Sequence, residues 1–478
     1  MVGKLYRSHI FVLIVAVTIL SSCDKYLDIK PEDTLVETDV FSEEALAERA
    51  LGEAYLELAY ATTGIHYMFA DFTTEIVDSD EVEFYVKFID GGLSPEDATV
   101  AGFWLDLYSV INLANSLIVK IPEFGKYNED MEQQHIAEAK FIRAYAYHKL
   151  LVMFGDGALV GKMDGLGLPL QLTPFQGYSF DDPAVARSTV QETYNQIIKD
   201  LTESIEFLPE SYSSNLDTRS RATVGGAKAL LARIYLYMGD FSNAAEYAKQ
   251  VIDMADVYIF EPNILDLFPD NSARNLTAFS KEYVFGFPFA LDEMGNNDIS
   301  FSYFFKLSLW ADEDFIATYE DGDLRKDTLI YAGDTFYNQH LTADRRSTFK
   351  FPESYGRDNV PVIRLSEVLL TRAEALASTT GVNQESVDII NQIRNRVFEN
   401  NSDLTMGDFP DSDVLINKIL EERKFELAFE GLHRFDLIRT GRPLRNPNLS
   451  EELKVLPIPQ IDIDLSGDVI LQNPGYNN

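Results

Sequence analysis

The chain of 478 residues is short of several things, and each shortage excludes something. It has one cysteine, Cys23, so no internal disulfide and no thiolate cluster can form. Its six histidines (His9, His66, His135, His148, His340, His433) are scattered without a His-Glu-x-x-His pair, which removes the usual zinc-protease signature. Basic residues are few, 40 Lys and Arg against 77 Asp and Glu, for a net charge of −37. A polyanion of this kind lacks the clustered cations that phosphate backbones demand, so nucleic acid is not its partner. Gly177-Tyr178-Ser179-Phe180-Asp181 misses the Gly-x-Ser-x-Gly elbow, and Gly155-x-Gly157 followed by Gly161 fails the dinucleotide fingerprint. Asp321-Gly322-Asp323 with Asp327 lacks calcium-loop spacing. No catalytic residue, metal or cofactor is expected, although with this many carboxylates an acid pair of the glycosidase type is not excluded by sequence.

What is present begins at the amino terminus. Lys4 and Arg7 precede an apolar run from Ile10 to Leu20; a spanning helix needs about 20 apolar residues, so this run reads as the core of a signal peptide, residues 1–22. No later stretch is read as long and apolar enough to span a bilayer. Leu20-Ser21-Ser22-Cys23 resembles a bacterial lipoprotein processing site, which makes Cys23 the expected lipidation site and accounts for a lone cysteine in an exported chain. A plain secretory signal is the alternative.

From about residue 43 the apolar residues recur at three- and four-residue spacing, which predicts helices over 45–60, 103–121, 132–154, 189–207, 223–238, 242–255, 364–378, 384–398 and 414–429. Leu231-Ala232-x-x-Tyr235, the Gly239-Asp240 turn, then Ala244 and Ala248 follow the spacing of a tetratricopeptide (TPR) unit. Three stretches are read as long irregular insertions that carry ligand binding: 61–102, 155–187 and 256–362. Within the last, Tyr283, Phe285, Phe287 and Phe289 alternate as in a strand, and Pro288 favours a sheet edge. The predicted architecture is mainly α, TPR-type helix pairs with insertions and minor β, in one domain over 23–478.

Several motifs in order then resemble the SusD/RagB family of Bacteroidota. Asp24-Lys25-Tyr26-Leu27-Asp28-Ile29-Lys30-Pro31 follows the cysteine. Trp104 with Leu107-Tyr108, Ile111-Asn112 and Ala114-Asn115 comes next, then Ala137-Glu138-Ala139 through Arg143-Ala144-Tyr145 to Phe154-Gly155-Asp156. The carboxyl end is the most specific: Glu422-Arg423-x-x-Glu426-Leu427-x-Phe429-Glu430-Gly431, Arg434-x-Asp436-Leu437, Arg439, Leu456-Pro457-Ile458-Pro459 and Gln472-Asn473-Pro474-Gly475-Tyr476. Gly157-Ala158 departs from the pattern, where a proline is expected. The resemblance implies a SusD-like fold in a lipid-anchored protein at the surface of the outer membrane. It also implies a TonB-dependent, SusC-like transporter as partner and an oligosaccharide, or in some relatives a peptide, as cargo. A non-enzymatic binding protein is therefore expected; a surface glycosidase and a TPR adaptor for proteins are the rivals.

Sugars stack on flat rings and bond through nearby polar groups. The candidates for ligand contact are Trp104, Trp310, Tyr85 and Tyr303 as rings, with Asp78, Asp80 and Asn297 as hydroxyl partners. The charged carboxyl motif reads differently. Ile416, Leu420, Arg423, Leu427 and Glu430 fall on one helical stripe, placing Arg423 among apolar residues, and a guanidinium there must be paired. Glu367, Glu374 and Glu430 are the expected partners in a structural ion-pair network.

Overall fold

A computed structural model describes residues 37–79, 83–175, 184–268, 279–289, 309–332, 345–348, 350–351, 358–399 and 403–476. The expected signal peptide and Cys23 lie outside them.

The chain enters through α1 (Glu37–Ser42) and α2 (Glu44–Thr62), whose Ala47, Leu51, Ala54, Leu58 and Ala61 form one buried stripe. Then come α3 (Ile65–Phe72), β1 (Val77–Ser79) and α4 (Glu83–Asp90). The long α5 (Ala98–Phe124) is started by Asp97, whose carboxylate accepts from the Thr99 N–H. Asn128 likewise caps α6 (Glu129–Phe154), which is buried almost without interruption from His135 to Phe154 and forms the axis of the core. By length and composition α5 is apolar enough to cross a membrane, contrary to expectation; here it packs against α2 and α6.

A two-stranded antiparallel ladder, β2 (Leu166–Pro169) with β3 (Arg187–Thr189), leads into α7 (Val190–Ile205), opened by a reciprocal Thr189–Glu192 capping box. Next are α8 (Asn215–Ser220), α9 (Val224–Met238) and α10 (Phe241–Ile252). The last two are the TPR-like pair. Gly239 sits between them at φ 76°, where a side chain would be strained, and Asp240 caps α10. Ala244 and Ala248 are fully buried at the contact, and Tyr235 stacks on Tyr247 at 5.6 Å.

The 256–362 stretch contributes most of the β-structure. β4 (Tyr283–Phe287) pairs antiparallel with β8 (Val360–Arg364), a two-stranded sheet that leaves both strands at an edge, and all five β4 residues are buried. β5 (Leu309–Ala311), β6 (Ile330–Ala332) and β7 (Arg346–Thr348) join β1 in a sheet of order β1-β5-β7-β6, with the short α11 (Glu313–Ala317) following β5. The carboxyl part adds α12 (Leu365–Thr380), α13 (Gln384–Val397), α14 (Ser412–Glu426), α15 (His433–Arg439) and α16 (Gln460–Leu465). Successive long helices pack on one another, and α12 closes the array by touching α10, α13 and α14.

Two expectations need correction. Residues 61–102 are not an irregular insertion: they hold α3 and α4. Phe69 and Phe72, Tyr85 and Phe88, and Phe84 and Phe88 stand three or four residues apart, so their rings share helix faces and close against Phe103. The last predicted helix also ends early, at Glu426. Phe429 and Gly431 both adopt positive φ, 67° and 68°, and fold the chain back.

Candidate functional site

The carboxyl motif forms an ion lattice in the core. Arg364 at the end of β8 reaches Glu282 at 2.8 Å, Glu426 at 3.0 Å and Glu430 at 2.7 Å. Lys350 adds a 2.6 Å contact to Glu430. Arg396 bridges Glu282 and Glu426 at 2.7 and 2.5 Å, while Arg325 holds Asp323 at 2.6 Å and Glu422 at 3.1 Å. With Arg394 on Glu422 at 2.7 Å, five cations face five carboxylates, none more than 9% exposed. Burial by itself would raise the Glu430 and Glu426 carboxyls, but the surrounding guanidiniums outweigh it and hold both below the ordinary carboxylate range.

A second cluster lies beside it. Arg423, 1% exposed as its stripe demands, binds Asp436 at 2.7 Å and approaches Glu367 at 3.5 Å; Glu367 also receives Arg233 at 2.6 Å. Glu374 pairs with Arg439 at 2.5 Å, and Glu430 belongs to Lys350 and Arg364. Of the partners expected for Arg423, only Glu367 touches it. Asp436 was missed: it is carried in by α15 after the turn through Phe429 and Gly431, which helical spacing does not foresee.

The ring candidates separate. Trp104 is 3% exposed, packed between Tyr108 at 4.8 Å and Phe154 at 5.1 Å, and Tyr85 is 4% exposed against Phe72 and Phe84. Neither presents a face to a ligand in this conformation; both are core. Their neighbours at helical spacing, Tyr108 four residues after Trp104 and Phe88 three after Tyr85, were the available signal. Trp310 on β5 stands directly opposite Asp78 on β1, so the fold brings together two residues singled out separately. Trp310 is buried too, 8% exposed, with the Arg345 guanidinium 3.8 Å over its ring, and Arg445 pairs with Asp78 while donating to the Val77 carbonyl at 2.6 Å. Asp80, Asn297 and Tyr303 lie outside the described residues.

Arg445 also lines a cleft of about 810 Å³ between α14, the end of α15, the 442–445 turn and the chain beside β1 and β5. Sequence reasoning missed it, because its walls are far apart in the chain. Glu75, Asp312, Asp314 and Glu421 supply carboxylates; Lys418, Lys424, Arg442 and Arg445 supply cations; no Phe, Tyr or Trp lines it. His433 meets Glu75 at 2.9 Å. Burial would raise Glu75, yet that bond, the His433 charge and Lys424 together hold its carboxyl at about 2. Among the described residues no group of three His, Cys, Asp or Glu is placed to hold a metal ion.

The chain has recognisable relatives. The profile of a family described as "Starch-binding associating with outer membrane" matches residues 25–236, and that of the "SusD family" matches 350–447. SusD-like protein P2 of Formosa agariphila is 26% identical over 449 residues, covering 80% of this chain and 82% of its own. A SusD superfamily protein of Bacteroides thetaiotaomicron superposes with a TM-score of 0.75 at 23% identity, over 90% of this chain and 99% of that one. A laminarin-binding SusD-like protein does so at 0.71 and 22%, over 91% and 100%.

Proposed function

Since the chain belongs to the SusD/RagB family, we propose that it is a cell-surface, outer-membrane protein that captures an oligosaccharide and delivers it to a TonB-dependent, SusC-like transporter. Residues 1–22 direct export, a lipid on Cys23 holds the mature chain to the membrane, and 23–478 work as one domain. The matched family's description as starch-binding and the laminarin-binding structural relative support a glycan as cargo.

The observation that carries the reading is the corner where Asp78 faces Trp310 across two strands, beside an open polar cleft reached through Arg445. A sugar needs a ring face and fixed hydrogen-bonding groups next to it; here Trp310, 8% exposed beneath Arg345, would supply the ring on displacement of that guanidinium, and Asp78 with Arg445 the polar groups. The reading is of a receptor, without catalysis. Glu422, Glu426 and Glu430, the motif's obvious acids, are buried and spent on guanidiniums or ammonium, so none is free to carry a proton to a substrate.

A glycan array probed with the chain from residue 24 onward tests the cargo. Retention of at least one oligosaccharide class without its cleavage is expected; binding of peptides and of no glycan overturns the reading. Cys23→Ala should release the protein from membranes, and the lipidated form should bring a barrel with it from detergent.

A further inference from the structure

Lys424 is unlike the other cations of the cleft. Its side chain is 19% exposed, and its nearest carboxylate oxygen, on Glu75, is 3.9 Å away and already held by His433 at 2.9 Å. Among the described residues its ammonium has no acceptor within hydrogen-bonding distance. The ammonium itself lies over two rings, with Nζ 5.2 Å from the Phe425 ring centre and 5.7 Å from that of Phe315, which restricts it and lowers the entropy a ligand would spend ordering it. Lys418, by contrast, is occupied by Glu421 at 2.8 Å and Glu320 at 3.0 Å, and Arg442 by Asn417 at 2.5 Å.

We infer that this cleft prefers oligosaccharides bearing carboxylates, uronic-acid chains, with Lys424 receiving an acid group of the sugar. The inference rests on the oligosaccharide reading above and deepens it. In a chain of net charge −37, the cleft wall sets four Lys and Arg against four carboxylates, a local relief in a field that elsewhere repels acids. A neutral sugar leaves the half-buried ammonium poorly matched, and a site built for one polar partner rejects the analogue that lacks it. With no Phe, Tyr or Trp in the wall, the ring at hand for stacking is Trp310 in the adjoining corner, and within the cleft the polar contacts set the preference.

The test is calorimetric titration with an oligouronate pentasaccharide and the same pentasaccharide after reduction of its carboxyl groups, which keeps rings and linkages. Wild type should bind the acid form at least about tenfold more tightly, the range of a charged hydrogen bond. Lys424→Met, which keeps an unbranched side chain of similar length without the charge, should bring the two affinities together, and Lys424→Arg should restore the preference. Equal affinities in wild type, or an undiminished preference in Lys424→Met, overturn the inference. If Lys424→Met does not fold, the wild-type comparison decides alone. Tight binding of the reduced sugar sinks this inference but leaves the oligosaccharide reading standing. If neither sugar binds and a pentapeptide with a free carboxyl end does, both fall.

Discussion

Helix α14 carries the same residue types on two faces and uses them in opposite ways. Inward, Glu422, Arg423 and Glu426 are at most 1% exposed, each matched by opposite charges from β8, α12, α13 or α15. Outward, Asn417, Lys418, Glu421 and Lys424 line the cleft, where one ammonium keeps unspent donors. Residue type therefore does not separate scaffold from site; burial and the completeness of pairing do. An inward charge is fixed by neighbours that cannot leave, and removing one partner strands the rest. An outward charge can exchange its partner for a ligand.

The largest break in this comparison should come from Arg364. Arg364→Met leaves Glu282, Glu426 and Glu430 short of a partner and should cost about 4 kcal/mol in urea denaturation. Arg364→Lys should recover only part of it, because an ammonium cannot fork between carboxylates. Gly431→Ala comes next, at about 1–2 kcal/mol: the residue sits at φ 68°, and a Cβ would lie 3.0 Å from the Tyr67 ring.

Acid should expose the inward face too. Burial alone would raise Asp436, but Arg423 and Arg439 hold it at about 2 in the fold, below its unfolded value near 3.9. A depressed acid stabilises fully above its unfolded pKa, and that stabilisation fades as pH falls toward the folded value. Melting temperature should therefore drop between about pH 4 and pH 2, and Asp436→Asn should flatten that limb. The smallest effect belongs to an exposed pair: Lys249→Ala, which frees Asp253 on a surface turn of α10, should stay within about 0.5 kcal/mol. A large loss there would mean that exposure is not what distinguishes the faces.

Much of the scaffold was legible. The long helices announce themselves by spacing, and Arg423's burial followed from its stripe before any partner was known. The errors share one cause. Aromatic density at 61–102 suggests a binding insertion, yet Phe69, Phe72, Tyr85 and Phe88 recur at helical intervals and face inward. Trp104 was judged by its ring and not by Tyr108, four residues on, which covers it. The cleft left no local trace, since Glu75 and His433 meet across a separation of 358 residues. Pairing at that range is decided by the turn through Phe429 and Gly431, whose backbone conformation no periodicity encodes.

That turn also sets a schedule. The Gly431 amide donates to Asp71 across 360 residues, the Tyr67 hydroxyl reaches the Pro361 carbonyl across 294, and Arg445 closes on Val77 across 368. Synthesis delivers the early helices long before these partners leave the ribosome, and distant contacts form slowly. The aromatic helices at 65–90 must wait, half-finished, for nearly the whole polypeptide to be made. A message truncated upstream of Gly431 thus yields a product with an open amino-terminal half, a ready target for proteases.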